Sequence, residues 1–136
     1  SMEEIVEYFV DSICIRHKLE YLSQATANKI KSKFSKNITV RKASKIIDFA
    51  INTPDKLILI ETNFYSGGGS KLKSTAGEYS DIFLQWQKDG HDFIWITDGV
   101  GWLTSKAALH DTFDKIDYVL NLEMVQKGIL EDLILD

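Results

Sequence analysis

One cysteine and one proline are all that this sequence has of either residue in its 136 positions. Cys14 has no partner for an internal disulfide, so nothing in the chain calls for an oxidising compartment, and a reducing, cytoplasmic one is expected. No apolar run approaches the roughly 18 residues of a membrane-crossing helix, and no signal-peptide pattern opens the chain, so no membrane partner is expected. The three histidines, His17, His91 and His110, have no metal-like spacing to one another or to Cys14, which argues against zinc. No nucleophile-elbow motif G-x-S-x-G is present, nor any internal repeat or low-complexity linker. What remains is a chain with 44% apolar and 26% charged residues, ordinary values for a globular protein. Residues 1–136 are enough for one domain with a real core.

The net charge of −4 argues weakly against nucleic acid, but the charges are unevenly spread. From Arg16 to Lys45 there are nine Lys/Arg and one acid, Glu20, which leaves seven basic and 19 acidic residues elsewhere. A basic segment on an acidic body suits a polyanion-binding face. On charge alone a solvated basic helix explains it equally well.

Residues 2–16 carry an apolar stripe at i, i+4 spacing and predict a helix with Glu3 and Glu4 in its first turn. A second, basic helix is expected over 25–34, capped by Ser23. Residues 45–51 and 56–64 read as apolar strands around the turn Asn52-Thr53-Pro54-Asp55. A glycine-rich loop, 66–70, precedes a helix over 74–88. A nearly all-apolar strand over 92–97 is expected at the sheet centre. A helix over 102–114, a short strand over 117–121 and acidic helices over 122–135 complete the chain. The order predicts an α/β fold with a mixed sheet of about four strands flanked by helices.

The two central strands each carry an acid that a buried sheet disfavours. Asp48 lies inside the first and Glu61 near the end of the second, with Asn63 two residues on. A charge at a core-strand position costs several kcal/mol unless it is paired, so about that much must come from a partner. With Ile51 opposite Lys56, Asp48 falls opposite Leu59 and one diagonal step from Glu61, on the same face. A one-residue slip would separate the two. Two converging carboxylates, with Asn63 and a backbone carbonyl such as that of Thr62, offer the hard oxygen ligands that Mg2+ prefers, and phosphodiester hydrolysis uses such a set. Exposure at the strand edges, or pairing with lysines, is the alternative.

Two glycine segments resemble nucleotide-binding loops without meeting the spacing. In Gly67-Gly68-Gly69-Ser70-Lys71 the serine precedes the lysine, unlike the Walker order. A loop that lets a DNA backbone approach Lys71 and Lys73 fits better, against a flexible turn with solvated lysines. Asp98-Gly99-Val100-Gly101-Trp102 lacks the third glycine of the dinucleotide fingerprint, because position 104 is threonine; a tight turn with Trp102 packed or facing a ligand is expected.

The run I-E-T-N-F-Y-S-G-G-G-S-K-L-K-S-T-A-G-E-Y, then F-I-W-I-T-D-G-V-G-W and L-H-D-T-F-D, resembles the C-terminal part of the DpnII/MboI family. These are Type II restriction endonucleases of the PD-(D/E)XK superfamily, which cut duplex DNA at GATC. I-I-D-F-A-I resembles the family strand with the first acid, and M-E-E-I-V-E-Y-F-V the helix that opens the catalytic core. The resemblance implies a restriction-endonuclease-like core and a Mg2+-dependent Type II site-specific deoxyribonuclease, with Asp48, Glu61 and the Thr62 carbonyl as metal ligands. Glu3 matches the opening-helix glutamate that orients the attacking water. Lys71 matches a lysine of the glycine loop. Asn63 stands where most of the superfamily has lysine; it is neutral and cannot supply positive charge, though it can orient water. The missing charge would come from a second Mg2+, Lys71 or Lys73.

Family members are longer, with an N-terminal region absent here, and Ser1-Met2 reads as a cloning scar. The resemblance therefore implies a fragment or short form, and a homodimer for the full enzyme because two strands are cut. Arg41, Lys42 and Lys45, in the basic segment, are expected to hold the DNA backbone with salt-sensitive affinity. A non-catalytic DNA-binding module, or a repair or junction nuclease of the same fold, is the alternative.

Overall fold

Buried strands rich in Ile, Leu, Phe and Trp dictate a sheet covered on both faces. The computed structural model describes residues 1–136 and has that form. In chain order the elements are α1 (Met2–His17), β1 (Glu20–Ala25), α2 (Ala27–Phe34), β2 (Ile47–Asn52), β3 (Leu57–Phe64), α3 (Ser70–Lys88) and β4 (Asp92–Asp98). A 3-10 turn (Val100–Thr104), α4 (Lys106–Lys115), β5 (Val119–Leu120), α5 (Leu122–Gln126) and α6 (Ile129–Leu135) follow. The sheet order is β1-β2-β3-β4-β5. The first three strands form an antiparallel meander, and β3, β4 and β5 run parallel through the crossovers α3 and α4.

Two apolar cores lie on the two sheet faces. On one, Ile30 and Phe34 of α2 and Leu72, Ala76, Tyr79, Phe83 and Trp86 of α3 pack on Leu57, Leu59, Phe93 and Trp95. On the other, Val6, Val10, Ile13 and Cys14 of α1 join Val125, Leu130 and Ile134 over Phe49, Ile51, Ile58, Ile60, Ile94 and Ile96. The resulting α/β/α layering agrees with the fold class read from the sequence. The run F-I-W-I is a buried interior strand, β4, one place from the central strand β3.

Three local expectations need correction. Glu20–Ala25 is a fifth strand on the sheet edge, which its polar, mostly half-exposed or exposed residues had hidden. The α2 cap is therefore Thr26, whose hydroxyl accepts from the Lys29 N–H, and not Ser23. Helix α3 begins at Ser70 rather than 74, so Lys71 and Lys73 lie in its first turn and not in the glycine loop.

A fourth correction is the β2–β3 register. Thr53 and Lys56 close the hairpin: the Thr53 N–H donates to the Lys56 carbonyl at 3.0 Å, and the Thr53 hydroxyl bonds both backbone groups of Lys56. The loop proper is thus Pro54-Asp55, with proline at the turn position that its fixed φ favours. Ile51 pairs with Ile58 and Phe49 with Ile60, two residues from the expected register. A two-residue shift preserves the faces. It brings Asp48 directly opposite Glu61 instead of diagonal to it.

Candidate active site

The paired carboxylates hold each other's strand. Past the Phe49–Ile60 pair, Glu61 Oε1 accepts from the Asp48 N–H at 3.0 Å. Asp48 Oδ2 accepts from the Thr62 N–H at 2.8 Å and the Thr62 hydroxyl at 3.0 Å. Side chains thus satisfy backbone donors at this end of the hairpin, which fixes both carboxylates. Glu61 is only 3% exposed. Burial pushes its carboxyl above the ordinary range, Lys45 and the Asp48 N–H pull it back, and the Asp48 charge raises it again.

Around this pair the structure gathers residues from five elements. Glu3, in the first turn of α1, reaches Asp48; burial first, and then the Asp48 charge, raise its pKa. The Gln24 amide donates to Glu3 Oε2 at 2.6 Å. Gln24 sits at φ 50°, a left-handed conformation that a non-glycine residue adopts at a cost of about 1 kcal/mol or more. Lys45 Nζ lies 2.7 Å from Glu61 Oε2 and 5.9 Å from the centre of the Tyr79 ring. Burial, followed by the charges of Glu61 and Asp48, pushes the Tyr79 phenol far up, and its hydroxyl lies against Asn63. The Asn63 Oδ1 accepts from the buried Trp95 indole N–H at 2.7 Å.

The expected residues divide on this geometry. Asp48, Glu61, Thr62, Asn63 and Glu3 come together. Lys71 and Lys73 are exposed and form no hydrogen bond or ion pair with any of them. They point to different sides of α3: Lys73 faces the groove shared with Ala107, Ala108 and Asp111 at α4. Arg41, Lys42 and Lys45 line a cleft of about 520 Å³ between residues 39–45 and α3, where Glu78 and Asp81 form part of the opposite wall. Arg41 lies 3.6 Å from Asp81, both well exposed, and Lys45 joins the cleft to Glu61. Lys45 was expected on the DNA backbone, and its pairing with Glu61 was missed. The alternative of lysine pairing did contain it, but a contact between an irregular segment and a strand end leaves no periodic signal.

The two glycine segments explain each other. A Cβ on Gly101 would meet the Gly67 carbonyl oxygen at 2.4 Å, and one on Gly68 would meet the Thr104 and Ser105 hydroxyls at 2.5 and 2.6 Å. The loop after β3 therefore packs on the turn after β4. Trp102 is buried there, its indole donating to Thr97 at 2.8 Å, which decides for the packed reading of that residue.

No group of three or more His, Cys, Asp or Glu side chains is arranged to hold a metal ion. Mg2+ needs no such cage, because it keeps several waters and binds through one or two carboxylates plus substrate phosphate. The hard, fixed oxygens of Asp48 and Glu61 fit that ion.

The profile of the family described as DpnII restriction endonuclease matches residues 1–132. The chain belongs to the DpnII restriction endonuclease family. Type II restriction enzyme MjaIII of Methanocaldococcus jannaschii is 46% identical over 98% of this chain and 48% of its own length. LlaDCHI of Lactococcus lactis subsp. cremoris is 42% identical over 98% of the chain and 45% of its own. DpnII of Streptococcus pneumoniae is 33% identical over 98% and 48% respectively. The chain thus spans about half the length of these curated relatives. Its family membership agrees with the resemblance carried by the E-T-N-F-Y and W-I-T-D-G-V-G-W blocks. No helix of this family member is long and apolar enough to cross a membrane.

Proposed function

We propose that this chain is the core of a Mg2+-dependent Type II restriction endonuclease that hydrolyses phosphodiester bonds of duplex DNA at GATC, in the cytoplasm. The interlocked, buried pair Asp48 and Glu61 carries the reading, because two carboxylates fixed on backbone donors are pre-organised oxygen ligands. Membership of a restriction-enzyme family supports the substrate class.

When bound, the divalent ion offsets phosphate charge and lowers the pKa of the attacking water. Asp48, Glu61 and the Thr62 carbonyl would hold it. Glu3, oriented by Gln24, accepts a hydrogen bond from the attacking water. Asn63 has its Oδ1 engaged by Trp95, so its amide N–H is the group left to orient that water. Arg41 and Lys42 hold the DNA backbone in the cleft, and Lys71 and Lys73 add phosphate contacts from α3. Double-strand cleavage requires two such sites, supplied by a homodimer.

Incubating a GATC-containing duplex with the chain and Mg2+ tests the reading. Cleavage by the wild type, lost in Asp48→Asn and Glu61→Gln, supports it. Cleavage retained by Glu61→Gln refutes the assigned site. Binding without cleavage by the wild type supports a non-catalytic module instead.

A further inference from the structure

Glu61 has both carboxylate oxygens engaged, and the two partners differ in kind. The Asp48 N–H on Oε1 is fixed backbone. Lys45 Nζ on Oε2 ends a flexible stem from a segment, residues 35–46, with no helix or strand. Its side chain is 26% exposed against 4% for that of Glu61, so the ammonium has a route outward that the carboxylate lacks. That route is the cleft walled by Arg41 and Lys42, where the nuclease reading puts the DNA backbone. Lys45 is also the one cation bonded to either strand carboxylate, since neither Lys71 nor Lys73 reaches them.

We propose that Lys45 is a displaceable counter-ion. It fills the Oε2 side of Glu61 while no divalent ion is bound, gives that oxygen up when one enters, and then faces the scissile phosphate from the cleft. The inference rests on the metal-nuclease reading. It accounts for how a site with neutral Asn63 obtains a positive charge without Lys71 or Lys73. The exchange needs no rearrangement of the carboxylate, because the Asp48 N–H holds Oε1 throughout. A lysine serving only as a structural tie makes the opposite prediction: its loss would loosen the site for metal. A displaceable competitor yields the unusual combination of tighter metal binding with slower cleavage.

The test uses Mn2+ as the probe, titrated calorimetrically into the wild type, Lys45→Met and Glu61→Gln at pH 8.5, where free carboxyls are ionised. Lys45→Met is expected to bind Mn2+ at least about ten-fold tighter. It is also expected to cleave duplex DNA at least about a hundred-fold more slowly at saturating Mn2+, as when a charge-stabilising group is removed. Equal or weaker Mn2+ binding by folded Lys45→Met overturns the exchange while leaving the nuclease reading intact. Glu61→Gln binding Mn2+ as tightly as the wild type overturns the underlying site itself. A wild-type crystal loaded with Mn2+ gives a variant-free check. Lys45 Nζ moved out of hydrogen-bond distance of Glu61 supports the exchange, and Nζ still on Oε2 refutes it.

Discussion

Glu61 and Lys45 form a pair whose two halves are unequally able to survive alone, and stability measurements on single variants expose that asymmetry. At 2.7 Å and an effective dielectric of about 20, their gross attraction is about 6 kcal/mol, most of which offsets the cost of taking the charges out of water. Lys45→Met leaves the carboxylate with the Asp48 N–H as its remaining donor inside the protein, so about 3 kcal/mol of stability is lost at pH 8.5. Glu61→Gln keeps an oxygen for the Asp48 N–H and lets the part-exposed Lys45 turn to solvent; stability changes by less than about 1 kcal/mol in either direction. The sign with pH follows from burial, which raises the folded pKa of Glu61 above its unfolded value. The advantage of the neutral acid is present below the ordinary carboxylate range and is lost as pH rises through the raised pKa. The Lys45→Met deficit therefore widens from pH 4.5 to pH 8.5. Urea denaturation followed by tryptophan fluorescence at the two pH values measures it. Equal losses for both variants, or a Lys45→Met deficit unchanged by pH, would refute the assignment of Glu61 as a buried charge held by Lys45.

Asn63→Ala removes the acceptor of the buried Trp95 N–H and is expected to cost about 1–3 kcal/mol by thermal melting, whereas Asn63→Asp keeps an acceptor and loses less. Gly99→Ala places a Cβ at 2.2 Å from the Tyr65 carbonyl at φ 111° and destabilises strongly, while Gly77→Ala, in open space within α3, stabilises by about 0.5–1 kcal/mol. Arg16 and His17 hold the Glu131 carboxyl down at about 2, so the stability it contributes is present above the ordinary carboxylate range and is lost as pH falls towards 2. A melting-temperature profile of Glu131→Gln should accordingly lie below the wild type near neutrality and converge with it in strong acid.

The fold was legible wherever apolar periodicity ran uninterrupted: α1, the β2–β3 hairpin, α3 and the interior strand β4 all follow from it. β1 was not, because an edge strand with one open face reads E-Y-L-S-Q-A, a polar string without alternation. The hairpin register slipped by two because Thr53 and Lys56 join the ladder, which composition alone does not reveal. Asp48 and Glu61 stood out because charges are conspicuous in apolar strands. Lys45 did not, being one of many basic residues in its segment, and only tertiary packing selects it. The two glycine segments looked like separate phosphate loops because sequence order hides that they touch.

The central claim is that the carboxylates of Asp48 and Glu61 share a divalent ion. An anomalous-difference map from a crystal soaked in Mn2+ tests it most directly. A peak is expected between the two carboxylates, and it disappears in Glu61→Gln; Mn2+ bound elsewhere, with none between Asp48 and Glu61, rules out the shared ion.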